Sequence, residues 1–329
     1  MASLTVSSNH PSSLAWESLV LRSIAASEVL GRKSAQGTLK LFKEFLQQSS
    51  CLDDFLFTAA NSMMVWFFQQ REAFLSQETL TKWSRNVLDD YILLPAVPGF
   101  VSREECFFVS HFWRTQEHPD PDGEYLRLLQ AVLRSQDWSY IWVDWTCIPQ
   151  SPRSQAEEAY FLRSLPTISG VIRNCGFVWF YPPFEARLWI LFEIAEFTLT
   201  SSGEIPLTPD IREFMEHVRQ MIQTSVRSVL DKYNYRCTYT RDKAFIISRL
   251  ELLVLLNRLP IELINVRQVI DQVTWHPMIK DLRILGDMND FHLRQFQGTL
   301  NYKGELYTFT PFPEWDNGKY SVKRNNIGQ

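Results

Sequence analysis

Trp189 and Glu193 stand four residues apart in the segment Arg187-Leu188-Trp189-Ile190-Leu191-Phe192-Glu193. On a helix that spacing is one turn, so an aromatic ring and a carboxylate share a face. Leu188, Ile190, Leu191, Phe192, Ile194, Ala195 and Phe197 around them are apolar, which predicts a helix buried on most sides. A carboxylate on such a helix is costly unless it is paired, hydrogen-bonded or turned toward a cleft. Turned toward a cleft, a carboxylate beside an aromatic plate suits a ligand that joins a flat base to a sugar. The competing role for Glu193 is structural, as partner of Arg187, Arg173 or a basic residue of another helix.

The surrounding pattern supplies a crevice for these residues. Cys106-Phe107-Phe108-Val109, Tyr140-Ile141-Trp142-Val143-Asp144 and Phe177-Val178-Trp179-Phe180-Tyr181 are short, continuously apolar runs. Helical stretches separate them, one with Tyr125, Leu128, Leu129, Val132 and Leu133 on one face and another from Ala156 to Ile172. Apolar strands alternating with helices predict an α/β unit with a parallel sheet covered on both faces, from residue 102 to 209. A fourth short strand is expected at Glu204 to Leu207. Right-handed crossovers give a 2-1-3-4 strand order, whose switch point lies between the first and third strands. The first strand runs out at Ser110-His111-Phe112-Trp113, and the helix bearing Trp189 and Glu193 begins just beyond the third.

The flanks read as helical. Residues 1–13 are Ser-rich and aperiodic and are expected to be disordered. Between residues 14 and 101, Leu52, Leu56, Ala59, Met63 and Phe67 recur at helical spacing, as do Leu80, Trp83, Val87 and Tyr91, up to the breakers Pro95 and Pro98. Residues 210–315 are expected to hold further helices. One long stripe runs from Ile211 through Val229, and a helix from Ala244 to Leu256 is apolar nearly all round. A β-hairpin is expected from Thr299 to Phe309, turning at Lys303-Gly304. Residues 316–329 form a polar tail that reads as loose.

Composition excludes several classes. With 329 residues, 45% hydrophobic and 14% aromatic, and only 12 glycines, the chain is neither collagen-like nor mostly disordered. A formal charge of -4 gives no global basic field, so non-specific nucleic-acid binding is not expected. The apolar runs fall short of the ~20 residues needed to cross a bilayer. The N-terminus lacks a secretory pattern, and a cytoplasmic location is the expectation by elimination. The five cysteines form no C-x-x-C pair, which argues against a disulfide framework and a structural zinc site. Cys147 and Cys175 read as buried core thiols. His118, Asp120 and Asp122 offer metal-ligand chemistry, but the intervening prolines and the Asp122-Gly123 turn favour a capped loop. His276, before Pro277, reads as a helix terminator. No Ser-His-Asp set, G-x-S-x-G elbow or P-loop lysine is present.

Phe107-Phe108-Val109-Ser110 resembles the first strand of Toll/interleukin-1 receptor (TIR) domains, and Trp142-Val143-Asp144 is similar to their second. Phe177-Val178-Trp179-Phe180, followed by Arg187-Leu188-Trp189 and Glu193, resembles the third strand and the helix that carries Trp and the catalytic Glu in enzymatic members. The run from Tyr140 to Gln150 (YIWVDWTCIPQ) resembles the signature of fungal heterokaryon-incompatibility domains, themselves TIR-like. The resemblance implies a flavodoxin-like parallel sheet with helices on both faces, and an enzyme that cleaves the N-glycosidic bond of NAD to release nicotinamide. In that chemistry positive charge builds on the ribose, as in a glycosidase transition state. The resemblance then implies Glu193 as the carboxylate that stabilises that charge and holds the ribose hydroxyls. Trp189 and Trp113 would be aromatic walls, Arg114 would face phosphate, and His111 would line the crevice floor beside Ser110. Asp144 either orients the loop from Trp145 to Gln150 or caps a turn, and Trp145 is counted with the substrate-binding residues. NAD enters as substrate, with no separate cofactor and no metal. The family often acts through self-association in immune or cell-death responses, which makes a homo-oligomer the expected state, without a nucleic-acid or membrane partner. Two other readings remain open: a non-catalytic interaction or scaffold module, and an enzyme like the nucleoside deoxyribosyltransferases.

Overall fold

A computed structural model describes residues 13–31, 36–61, 64–115, 117–180, 184–201, 205, 209–284, 290–316 and 319–321. The chain forms two compact units. One comprises residues 1–109, 113–164 and 174–178, the other residues 110–112, 165–173 and 179–329.

The first unit opens with helices α1 (Ser13–Leu30), α2 (Gln36–Gln48) and α3 (Leu52–Asn61). Strand β1 (Val65–Gln70), the short helix α4 (Arg71–Ser76) and strand β2 (Tyr91–Pro95) follow. Then come β3 (Cys106–His111), α5 (Glu124–Leu133), β4 (Tyr140–Trp142), the single turn α6 (Asp144–Cys147), α7 (Gln155–Thr167), α8 (Ser169–Asn174) and β5 (Gly176–Phe180), of which residues 110–111, 165–173 and 179–180, and so nearly all of α8, count with the second unit. The sheet order is β2-β1-β4-β3-β5. The three strands expected from the sequence therefore lie in the expected second-first-third arrangement, with β3 and β4 parallel.

The sheet is nonetheless mixed, because β1 runs antiparallel to both β2 and β4. This corrects the all-parallel expectation and the all-helical reading of residues 14–101. The helical spacing through Leu52, Leu56 and Ala59 is real, but α3 ends at Asn61 and the Val65-Trp66-Phe67-Phe68 run becomes a strand. Continuous β-branched and aromatic side chains fit a strand buried on both faces better than a helix. Phe67 packs edge-on against Phe55, Trp83, Tyr91 and Tyr160. Leu80 and Trp83 are buried from a loop, so their three-residue spacing reflects successive insertions into this core rather than a helical face. Tyr91 and Tyr160 satisfy their buried hydroxyls by donating to the Thr146 and Val65 carbonyls.

The second unit contains α9 (Leu188–Leu199), α10 (Pro209–Gln223), α11 (Val226–Lys232), α12 (Thr240–Arg258) and α13 (Leu263–Trp275). The single stripe read from Ile211 to Val229 is two helices. Ser225 is extended and its hydroxyl accepts from the Ser228 amide, an N-cap that starts α11. A four-stranded antiparallel sheet follows, ordered β6 (Leu282–Arg283), β7 (Phe291–Arg294), β8 (Thr299–Tyr302) and β9 (Glu305–Thr308). The β8–β9 hairpin turns at Lys303 and Gly304, both at positive φ (52° and 81°), as a two-residue type I′ turn requires. Part of the tail expected to be loose pairs instead, as β10 (Glu314–Asp316) with β11 (Lys319–Ser321). The strand expected at Glu204 to Leu207 lies outside the described residues, apart from Ile205, and residues 1–12 lie outside them altogether. No helix among the described residues is long and apolar enough to cross a membrane.

Four charged side chains occupy the core of this unit. Glu196 of α9 accepts from Arg173 and from Arg249 of α12, and Arg173 also pairs with Asp271 of α13. Thr274 accepts from both guanidinium groups. Burial would raise the Glu196 carboxyl, but the Arg249 and Arg173 guanidinium groups outweigh it and hold its pKa below the ordinary 4.5. Its contribution to stability is therefore complete above the unfolded-state value and is lost as pH falls through the lower folded value. Glu196→Gln strands a buried cation and is expected to cost about 3–5 kcal/mol at neutral pH. In urea titrations across pH 2–7 the variant should also lack the part of the acid destabilisation that Glu196 contributes.

Candidate functional site

The eight residues singled out in the sequence fall into two groups of contacts, one in each unit. Ser110, His111, Trp189 and Glu193 belong to the second unit. Ser110 and His111 close β3, and both are buried. Ser110 lies on the same strand face as Phe108, two residues earlier, which stacks on Trp142 at 5.2 Å. The Ser110 hydroxyl donates to Glu193 Oε2. A charge-assisted bond of this kind fixes the rotamer of the carboxylate.

Helix α9 is apolar enough to be enclosed, and of its residues only Trp189, Glu193 and Thr198 are not buried. Trp189 and Glu193 are thus the side chains that its first turns present outside the core. The Trp189 ring meets Phe192 edge-on at 5.7 Å. Arg187 precedes the helix; its guanidinium lies over the Phe112 ring at 4.7 Å and beside Glu185 at 3.6 Å. Its backbone is bridged to Arg236, with the Leu188 amide donating to the Arg236 carbonyl and the Arg236 amide to that of Ala186. The start of α9 is therefore held by main-chain bonds on one side and by the end of β3 on the other.

Of the cations considered as structural partners of Glu193 (Arg187, Arg173 or a basic residue of another helix), Arg173 also serves a second carboxylate. Glu196, one turn further on, takes Arg173 and Arg249. Sequence periodicity missed this because positions 189, 193 and 196 lie along one helical stripe.

Trp113, Arg114, Asp144 and Trp145 belong to the first unit. Asp144 starts α6, and its carboxylate accepts from the Trp113 indole at 2.9 Å and from the Trp145 amide. Gln150 donates to the carbonyls of Asp144 and Ile148. Through its carboxylate and its carbonyl Asp144 thus ties Trp113 and Gln150 to the start of α6, whose N-cap is Val143. Trp145 is buried, its indole donates to the Leu80 carbonyl, and its ring meets Trp113 edge-on at 5.3 Å. It is a wall behind Trp113 rather than an open surface. Arg114, expected to face phosphate, lies among Asp120, Asp122 and Glu124 and over the Tyr125 ring. Three carboxylates compete with any anion for that guanidinium.

The Asp120 carboxylate also accepts from the Tyr125 and Leu126 amides, and His118 Nδ1 accepts from the Asp120 amide. These residues form the capped loop that the sequence suggested. Among the described residues, no group of three or more His, Cys, Asp or Glu is arranged to hold a metal ion. An open cavity of about 660 Å³ lies in the first unit among Gln70, Arg71, Asp89, Asp90, Trp138 and Tyr140. None of the eight candidate residues lines it.

No protein-family model matches the chain, and neither a curated protein nor a solved structure matches it.

Cysteine chemistry is disfavoured by burial. Burial pushes the thiol of Cys106 up to about 12 and that of Cys147 to about 11, and raises Cys175 well above its ordinary value. Cys51 is exposed. In the native protein at pH 8, iodoacetamide should label Cys51 rapidly and leave Cys106, Cys147 and Cys175 unlabelled until denaturant is added. Peptide mass mapping checks this, and early labelling of Cys147 would contradict the assignment.

Proposed function

We propose that the chain is a TIR-like NAD glycohydrolase in which Glu193 is the catalytic carboxylate. The observation that carries the reading is the hydrogen bond from Ser110 to Glu193. It joins the end of a β-strand to the half-buried Glu193, in the turns of α9 that also carry the half-buried Trp189, while the separate carboxylate Glu196 supplies the ion pairing inside the core.

The reaction breaks the bond between ribose C1′ and the nicotinamide nitrogen. The bonding pair leaves with the ring, which loses its positive charge, and the ribose takes up that charge as an oxocarbenium-like centre. An ionised carboxylate close to this centre stabilises it more than it stabilises the ground state. Water adds at C1′ and releases a proton, giving ADP-ribose. Trp189 supplies a surface for a flat base, and Ser110 holds Glu193 in the orientation the ribose requires. Self-association, a cytoplasmic setting and a role in immune or cell-death responses belong to the same proposal and rest on the resemblance alone.

The test is nicotinamide release from NAD by the full-length chain, at high protein concentration and with a crowding agent. Glu193→Gln is expected to abolish release while leaving the melting temperature near that of the wild type. Ser110→Ala is expected to lower kcat/KM by about ten- to a hundredfold, the range for one hydrogen bond to a charged group. Release that survives Glu193→Gln would remove Glu193 from the mechanism. Transfer of the sugar to a second base, in place of hydrolysis, would favour the deoxyribosyltransferase-like reading. Absence of both turnover and nucleotide binding would favour the non-catalytic module.

A further inference from the structure

We infer that the open cavity of the first unit is a binding site for a small organic cation, an ammonium or guanidinium group on a flat body, with Asp90 as its counter-ion. Every residue involved belongs to the first unit, and none is assigned to the glycohydrolase reaction.

The cavity forms where β1 ends and where β2 and β4 begin. Antiparallel pairing sets Gln69 opposite Tyr91 on β2, and Gln70 opposite Tyr140 on β4. One step back from Tyr91, the same register brings Asp90 beside Gln70. A carboxylate, an amide and a phenol therefore follow one another across three strand ends. All three line the cavity, whose volume of about 660 Å³ is that of a small-molecule site. Its walls are tied to one another. The Gln70 side-chain amide donates to the Asp89 carbonyl, and the Arg71 main-chain amide donates to the Ser139 carbonyl.

The charges that line it differ in how they are met. Arg71 donates to the Arg134 and Gln136 carbonyls just past the end of α5, and its guanidinium lies over the Trp138 ring at 5.5 Å. A helix C-terminus and an aromatic face thus take up that positive charge. Asp89 pairs with Arg22 at 3.0 Å. No hydrogen bond or ion pair reaches the half-buried Asp90 carboxylate among the described residues. Burial and the neighbouring Asp89 raise its carboxyl above the ordinary value, and Arg22 draws it back only in part. A half-buried carboxylate short of counter-charge weakens a fold, and such groups gather where a ligand supplies the missing charge. A cation entering here would meet Asp90 on one side and the half-buried Tyr140 ring on another, which favours a flat cation. An anion would meet Asp89, Asp90 and the exposed Glu72 instead.

The experiment titrates the full chain at pH 7 and low ionic strength by calorimetry. Benzylamine is the flat cation, benzyl alcohol its neutral analogue and benzoate the anion. Benzylamine is expected to bind, the alcohol to bind at least about tenfold more weakly, and benzoate not to bind, the scale of one charge-assisted contact. Asp90→Asn should lower the affinity for benzylamine by about ten- to a hundredfold. The same variant should melt at or above the wild-type temperature, because it removes a charge that the fold disfavours. Loss of binding without loss of stability separates a ligand's counter-ion from a structural acid, whose removal lowers both. Tyr140→Leu should weaken benzylamine binding and keep the preference for it over benzoate. Benzoate binding as tight as that of benzylamine, an unchanged affinity in Asp90→Asn, or a lower melting temperature in that variant would each overturn the inference. So would the absence of benzylamine binding at millimolar concentrations.

Discussion

The second unit is organised around charges that cannot be left unpaired. Glu196, Arg173, Arg249 and Asp271 are almost entirely enclosed, and together they are neutral. Breaking one member of such a set leaves an uncompensated ion in a low-dielectric interior, which is far more costly than losing an exposed pair. The constraint is directional as well as energetic. Arg173 donates through Nε and Nη2 to Asp271 and through Nη1 to Glu196, so the planar fork fixes α8, α9 and α13 at once. Arg249 adds α12 through the same carboxylate. Apolar packing alone tolerates sliding between helices; this arrangement tolerates very little.

That fixed rotation gives the first turns of α9 their meaning. With Glu196 committed inward, the helix has no freedom to roll, and the side chains one and two turns earlier are presented at its opening end. Glu193 then accepts from the Ser110 hydroxyl. A carboxylate held by a hydroxyl and flanked by an aromatic ring is pre-oriented, so little reorganisation is needed when charge develops nearby. Core and candidate site are thus successive turns of one helix under one constraint.

Much of this was legible in the sequence, and the exceptions have physical causes. The strands at 106–111, 140–142 and 176–180 were readable because buried strands between helices leave continuous apolar runs. Their order followed from the handedness of the crossovers. The strands at 65–70 and 91–95 were not, because their short aromatic runs continue a helical spacing and the loop between them buries Leu80 and Trp83 at a helix-like interval. Local pattern cannot separate a residue buried by a helical face from one buried by a folded-back loop.

The division of labour between Glu193 and Glu196 was hidden for a related reason. Both lie on the stripe that includes Trp189, and nothing within the helix says which carboxylate takes Arg173 and Arg249. The deciding residue, Arg249, lies 53 positions away on α12. The candidate residues Trp189 and Glu193 were thus recognisable by type and local spacing, whereas the ion pairing that fixes their helix is set by tertiary contacts. Those contacts come from Arg173 of α8, Arg249 of α12 and Asp271 of α13.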